Sequence, residues 1–152
     1  MSSTTESNTL SLTLEHGTES FTIPGSLAQP TVLYFMRASI CPQCNRHARE
    51  LNAMQAELKT RGMDVIIIVP EGTDDANKVK TRNNLVIPVM AGNGAAHALA
   101  GLDKKFLGLI QVSGTIVVDT DGTILYKKLA TNPENSFNAK EFQAYLASVA
   151  VK

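Results

Sequence analysis

The chain has 152 residues, of which 43% are hydrophobic and 18% charged, and its fourteen basic and fourteen acidic side chains cancel. That balance suits a soluble globular domain with a core of its own and gives no general affinity for nucleic acid or an anionic membrane. The 5% aromatic content, without tryptophan, makes no base-stacking platform, and no apolar run approaches the roughly 20 residues of a membrane span. The opening "MSSTTESNTLSLTLEHG" has neither the basic nor the apolar region of a secretory signal. The expectation is a cytoplasmic protein with no nucleic-acid or membrane partner. In that reducing compartment, closely spaced cysteines are more often catalytic or metal-binding than structural.

Residues 1–9, rich in Ser and Thr, read as a loose arm before a single domain over 10–152. Leu10, Leu12 and Leu14 alternate, a polar turn follows at His16–Gly17, and Phe21 and Ile23 resume the alternation, which predicts a β-hairpin. "TVLYFM" is a short apolar run of the kind buried on both faces of a sheet. From Cys41 the period changes. Cys44, Ala48, Leu51, Met54 and Leu58 mark one face of a helix that ends at Gly62. "MDVIIIVP" predicts a second buried strand, and "GTDDANKVKTRNNL" a polar helix capped by Thr73 or Asp74. "VIPVM" predicts a weaker strand, and "GAAHALAGLDKKFL" one or two short helices that take in His97. "GTIVVDTDGTILYKKLA" reads as a hairpin turning at "DTDG", and "NAKEFQAYLASVAV" as a last helix capped by Asn138. A strand–helix–strand start followed by a late hairpin gives an α/β fold, a mixed central sheet with helices on both faces and an N-terminal hairpin.

Both cysteines of the chain lie in "CPQC", after the first buried strand and at the head of the helix. A thiol there meets unpaired N–H groups and the positive end of the helix dipole, which favour thiolate. Pro42 suits the first helical position, where a missing N–H costs nothing. Cys44 lies one turn on, in the apolar stripe, and is expected to be less exposed and less acidic. The asymmetry makes Cys41 the nucleophile and Cys44 the resolving thiol, with Arg37, Arg46 and His47 adding positive potential. Two other readings compete. The cysteines could be ordinary buried residues, or half of a zinc site with His47, although no second CxxC completes four ligands. A c-type haem needs His directly after the second cysteine, where Asn45 stands. No cofactor and no metal are expected.

A strand, CPxC opening a helix, a buried strand and a late hairpin together resemble the thioredoxin-like superfamily. Phe35, Arg37, Cys41-Pro42-Gln43-Cys44 and Arg49-Glu50-Leu51 are similar to the peroxiredoxin-like branch of the alkyl hydroperoxide reductase/thiol-specific antioxidant family, over residues 10–148. The resemblance implies a thioredoxin-like fold, a disulfide or hydroperoxide substrate and a thiol reductant such as thioredoxin or glutathione. It departs from that family in the groups around the sulfur. Ala38 stands at the usual Thr/Ser position with Ser39 one residue away, Tyr34 at the usual Pro, and Ser113 near the later Arg. Ser113 also departs from the cis-proline of thioredoxins, and Pro88 is the nearest substitute in sequence. Two peroxide-binding groups are therefore missing, and Arg37 is the one replacement nearby. The expected activity is thiol–disulfide exchange through an intramolecular Cys41–Cys44 disulfide. A thiol peroxidase passing through a Cys41 sulfenic acid is the alternative, and a non-enzymatic redox sensor or metal-binding module is a third.

Overall fold

A computed structural model describes residues 9–102 and 111–149. β-branched and aliphatic runs form the centre of a seven-stranded sheet in the order β2-β1-β5-β4-β3-β6-β7. Strands β3 (Thr31–Phe35), β4 (Asp64–Val69) and β5 (Val89–Ala91) are parallel neighbours. The hairpin of β1 (Leu12–His16) and β2 (Glu19–Ile23) joins antiparallel through the pair Glu15–Ala91. On the other side β6 (Ser113–Val118) runs antiparallel to β3, and β7 (Ile124–Ala130) closes the edge. The turn between β6 and β7 is the expected "DTDG". Gly122 there has φ +90°, and a Cβ on it would stand 2.9 Å from the Leu10 carbonyl oxygen.

Successive side chains of a strand face opposite ways, so β3 and β4 feed two cores. Val32, Tyr34, Val65 and Ile67 pack against α1 (Pro42–Ala53), α2 (Gln55–Thr60), α3 (Thr73–Arg82) and α5 (Ala139–Ser148). Leu33, Phe35, Ile66 and Ile68 pack with Leu12, Leu14, Ile23, Ile116 and Ala96 of α4 (Ala95–Leu99). The α/β expectation of a mixed sheet with helices on both faces is met.

Three local expectations need correction. The helix expected to run unbroken through Leu58 ends α1 at Ala53, because the Met54 N–H is shared between the Glu50 and Leu51 carbonyls and tightens the turn. Gly72, not Thr73 or Asp74, precedes α3. No side chain caps that helix, and Asp74 and Asp75 act on its dipole from within the first turn. Pro88 leads into the amino end of β5, where its carbonyl accepts the Ile67 N–H, so it stands in for no proline beside the cysteines. Asn138 does cap α5, accepting the Glu141 N–H at 2.8 Å. The arm expected over 1–9 lies, Thr9 excepted, outside the described residues, as do residues 103–110 of the segment in which α4 begins.

Gly114 fixes how closely β6 passes its neighbours. A Cβ on it would lie 2.6 Å from Leu129 Cδ2 and 2.7 Å from the Lys128 carbonyl oxygen. Backbone cannot yield as a side-chain tip does, so Gly114→Ala is expected to cost about 1–3 kcal/mol of stability, measured by urea unfolding. A change below about 0.5 kcal/mol would mean that the β6–β7 spacing is not set by this residue.

Candidate active site

The loop between β3 and α1 puts Cys41 directly before the helix. Pro42 occupies the first helical position, and Cys41 itself is the N-cap. Its sulfur takes the place of a capping oxygen and accepts the Cys44 N–H at 3.3 Å. The first turn holds no acidic side chain, so nothing competes with the sulfur for the positive end of the helix. The neighbouring Cys44 side chain, its N–H and the positive charge of Arg37 pull the Cys41 pKa down to about 6 against the opposing effect of burial. Cys44 moves the other way. The adjacent Cys41 sulfur and burial raise it far above an ordinary thiol, although the Arg37 N–H reaches its sulfur at 3.2 Å. One proton is thus shared by two sulfurs and stays with Cys44.

Both sulfurs belong to the apolar core under the sheet's carboxyl edge, where Cys41 is only 1% exposed. The sequence led us to expect an accessible first cysteine, and the covering loop reverses that. Ser39 braces this loop. Its N–H and hydroxyl donate to the Glu71 carboxylate at 3.2–3.3 Å, and its carbonyl accepts Asn45 Nδ2 at 2.9 Å and Arg82 Nη1 at 2.8 Å. Its hydroxyl is committed to Glu71, so Ser39 does not replace the missing Thr/Ser beside the sulfur. Asn45 Oδ1 accepts from Arg82 and Asn83 in turn. Asn45, Glu71 and Arg82 were not singled out from sequence, because they come from three elements and form no linear motif.

The cations expected near Cys41 reduce to one. Arg46 pairs with Glu134 at 3.0 Å and Glu50 at 3.7 Å on the surface. His47 is buried, and burial together with Arg46 lowers its pKa to about 4, so it is neutral and adds no positive potential. Arg37 remains. Its Nε is buried with no hydrogen-bond partner among the described residues. Ser113 is also buried, its hydroxyl without a partner among the described residues; Gly114 pairs with Phe35, which sets Ser113 at the same sheet end as the cysteines. His16 is the last residue of β1, paired with Glu19, and borders the turn in which it was expected. His97 is in α4 as expected, and its Nε2–H donates to the Met36 carbonyl at 2.8 Å. Among the described residues no group of three possible metal ligands forms.

The model of the AhpC/TSA family matches residues 8–127. The chain belongs to the AhpC/TSA family. No curated protein matches it. This family member has the thioredoxin-like fold of peroxidoxin BcpB from Mycobacterium tuberculosis, at 20% identity over 93% of this chain and 95% of that one, TM-score 0.79. It is similar also to peroxiredoxin Q of Xanthomonas campestris, at 16% identity over 91% of each chain, TM-score 0.77. A putative thiol:disulfide interchange protein DsbE from Chlorobium tepidum matches at 19% identity over 94% of this chain and 95% of that one, TM-score 0.70. The AhpC/TSA member described here is an oxidoreductase of the thiol peroxidase and thiol–disulfide oxidoreductase kind.

Burial holds His97 and His47 neutral with pKa values lowered to about 4. An unfolded histidine protonates near 6.5. As pH falls from about 6.5 to about 4 the unfolded chain binds protons that the folded chain refuses, so stability is full above that window and is lost within it. The urea midpoint is expected to fall steadily across the window. His97→Gln, which keeps a donor for Met36, is expected to remove about half of the fall. A fall unchanged in that variant would place the titrating groups elsewhere.

Proposed function

We propose that the protein is a thiol peroxidase that reduces small hydroperoxides through an intramolecular disulfide. The observation that carries this reading is the Arg37 guanidinium, whose charge helps lower the Cys41 pKa while its Nε is buried with no hydrogen-bond partner among the described residues. Peroxide cleavage develops negative charge on the departing oxygen, and a buried, fixed donor beside the nucleophile is what that charge requires. Arg37 supplies it where Ala38 and Ser113 replace the family's usual groups. The burial of Cys41 adds a size limit that favours a hydroperoxide over a protein disulfide.

The Cys41 thiolate attacks the distal oxygen of R–O–O–H. The O–O bond breaks, the alkoxide leaves with the electron pair and is protonated to the alcohol, and Cys41 becomes a sulfenic acid. Cys44 then forms the S–S bond, expelling the hydroxyl, which leaves as water with the Cys44 proton. An external thiol reductant, thioredoxin or glutathione by class, restores the dithiol by two thiol–disulfide exchanges and is itself oxidised. Pro42 holds the helix start, Ser39 braces the loop, and Ser113 offers a second hydroxyl at the sheet end.

Thiol–disulfide exchange through the same CPQC pair is the second reading. It is favoured by the two-residue spacing of the thiols and by the likeness to the thiol:disulfide interchange protein. The two readings separate in one experiment, stopped-flow oxidation of the reduced protein by hydrogen peroxide beside its reaction with a small aliphatic disulfide. Peroxide is expected to be the faster oxidant. Arg37→Ala should slow the peroxide reaction by about two to three powers of ten and the disulfide reaction much less. Cys44→Ser is expected to stop at the sulfenic acid, trapped by dimedone. A peroxide rate no better than that of a free thiol, with brisk disulfide exchange, would install the second reading instead.

A further inference from the structure

The proposed cycle names its reductant only by class, and a groove beside Cys41 narrows that class. Ile40 and Pro42, which flank Cys41 in the chain, line the groove with Asn45, Arg49 and Arg82. Its volume of about 440 Å³ lies in the range of small-molecule sites. Ile40 is 76% exposed, although Ser39 and Cys41 on either side of it are buried. An apolar wall and two guanidiniums thus stand next to the nucleophile.

The two guanidiniums are held in place but not neutralised. Arg82 Nη1 donates to the Ser39 carbonyl at 2.8 Å and to Asn45 Oδ1 at 3.2 Å. Arg49 Nη1 donates to Asn83 Oδ1 at 2.7 Å, and Asn83 Nδ2 donates to the same Asn45 oxygen at 2.6 Å. All of these acceptors are uncharged. Among the described residues neither arginine pairs with a carboxylate, whereas Arg46, Arg61 and Lys128 each do. Two acids close by are committed elsewhere, Glu50 to Arg46 at 3.7 Å and Glu71 to Ser39 at 3.2 Å. A chain with no net charge therefore sets two uncompensated cations on one groove. Each keeps N–H donors in the planar fork that matches a carboxylate.

We infer that this groove binds the carboxylate end of a small anionic thiol, and that such a thiol reopens the Cys41–Cys44 disulfide. The inference rests on the reading of CPQC as a disulfide-forming pair, but not on which oxidant Cys41 meets. The reductant is the co-substrate that reacts as an anion, whereas a hydroperoxide is neutral, so positive charge beside Cys41 favours the first. Burial of Cys41 sets the size, since so enclosed a sulfur is met more readily by a small thiol than by one fixed on a protein surface. The thiolate attacks the Cys41 sulfur, the S–S bond breaks, and Cys44 leaves with the electron pair and is protonated by solvent. A second thiolate attacks the outer sulfur of the mixed disulfide and releases Cys41 as thiolate. Two thiols are oxidised to one disulfide, and the protein is reduced by the same two electrons.

The test is the charge selectivity of reduction. Oxidised full-length protein is mixed with mercaptosuccinate, 2-mercaptoethanol or cysteamine, which are anionic, neutral and cationic, and acid quenching with mass spectrometry follows the loss of the disulfide. Each rate is divided by that thiol's rate with a small disulfide in solution, which removes differences in basicity. Wild type is expected to prefer mercaptosuccinate over 2-mercaptoethanol by about fivefold or more, to react slowest with cysteamine, and to lose the preference as salt rises. Arg49 is the residue to change, because Arg82 also braces the loop at Ser39. Arg49→Glu should abolish the preference, and Arg49→Lys, a charge without the fork, should keep part of it. S-methylglutathione, which cannot exchange, should shift the Arg49 and Arg82 side-chain N–H resonances of nitrogen-15 labelled wild type. A preference that Arg49→Glu leaves within about twofold of wild type overturns the inference. So does a loss of rate in that variant confined to oxidation by linoleate hydroperoxide, which would give the groove to the oxidant. Oxidised protein that carries no Cys41–Cys44 disulfide, or that none of the three thiols reduces, overturns the CPQC cycle and the inference with it.

Discussion

The Cys41 sulfur occupies the place of a capping oxygen at the head of α1, and the geometry of the site follows from that substitution. An N-cap must accept an N–H from inside the helix, and a thiolate accepts far better than a thiol. The helix therefore stabilises the charged form of Cys41 as part of its own termination. Pro42 makes the arrangement possible, because the first helical position needs no N–H. Cys44, three residues on, is both the capped residue and the neighbouring thiol. Its backbone and its side chain serve the same sulfur from one turn of helix.

Burial sharpens this asymmetry. In a low-dielectric core two adjacent thiolates repel strongly, so the first charge on Cys41 keeps the proton on Cys44. Arg37 adds positive charge that favours the Cys41 thiolate, while Arg46 is held at the surface by glutamates and His47 is neutral. The site thus joins one charged nucleophile, one fixed donor and one protonated partner beneath a braced loop. Such a pocket suits a small electrophile that brings its own leaving group. The polar cluster of Ser39, Glu71, Asn45 and Arg82 holds the loop without touching the sulfur, which leaves Arg37 free for chemistry.

Much of this was legible in the sequence. The alternation of Leu10 to Leu14, the β-rich runs at 31–36 and 63–69, and the helical stripe from Cys44 to Leu58 each carry their own period. "CPQC" at a change of period placed the redox pair at a helix start. What escaped was non-local. The Met54 break depends on a shared hydrogen bond, and the loss of positive charge at His47 depends on burial by residues far along the chain, among them Ser136 and Phe137. The sequence also made Tyr34 a departure from a family pattern. Only the fold brings its hydroxyl to His47 and Ser136, from positions up to 102 residues apart. Periodicity reports which side chains are buried together, not which polar atoms meet there.

The direct measurement is the titration of the two sulfurs separately, by NMR of protein labelled with carbon-13 at the cysteine Cβ. Reduced protein is expected to show the Cys41 resonance moving with a midpoint near pH 6, as its lowered pKa requires, while the Cys44 resonance stays that of a thiol through the neutral range. If both resonances move together near the ordinary thiol value of about 8.5, or if Cys44 moves first, the sulfur-capped helix does not set the chemistry of this site.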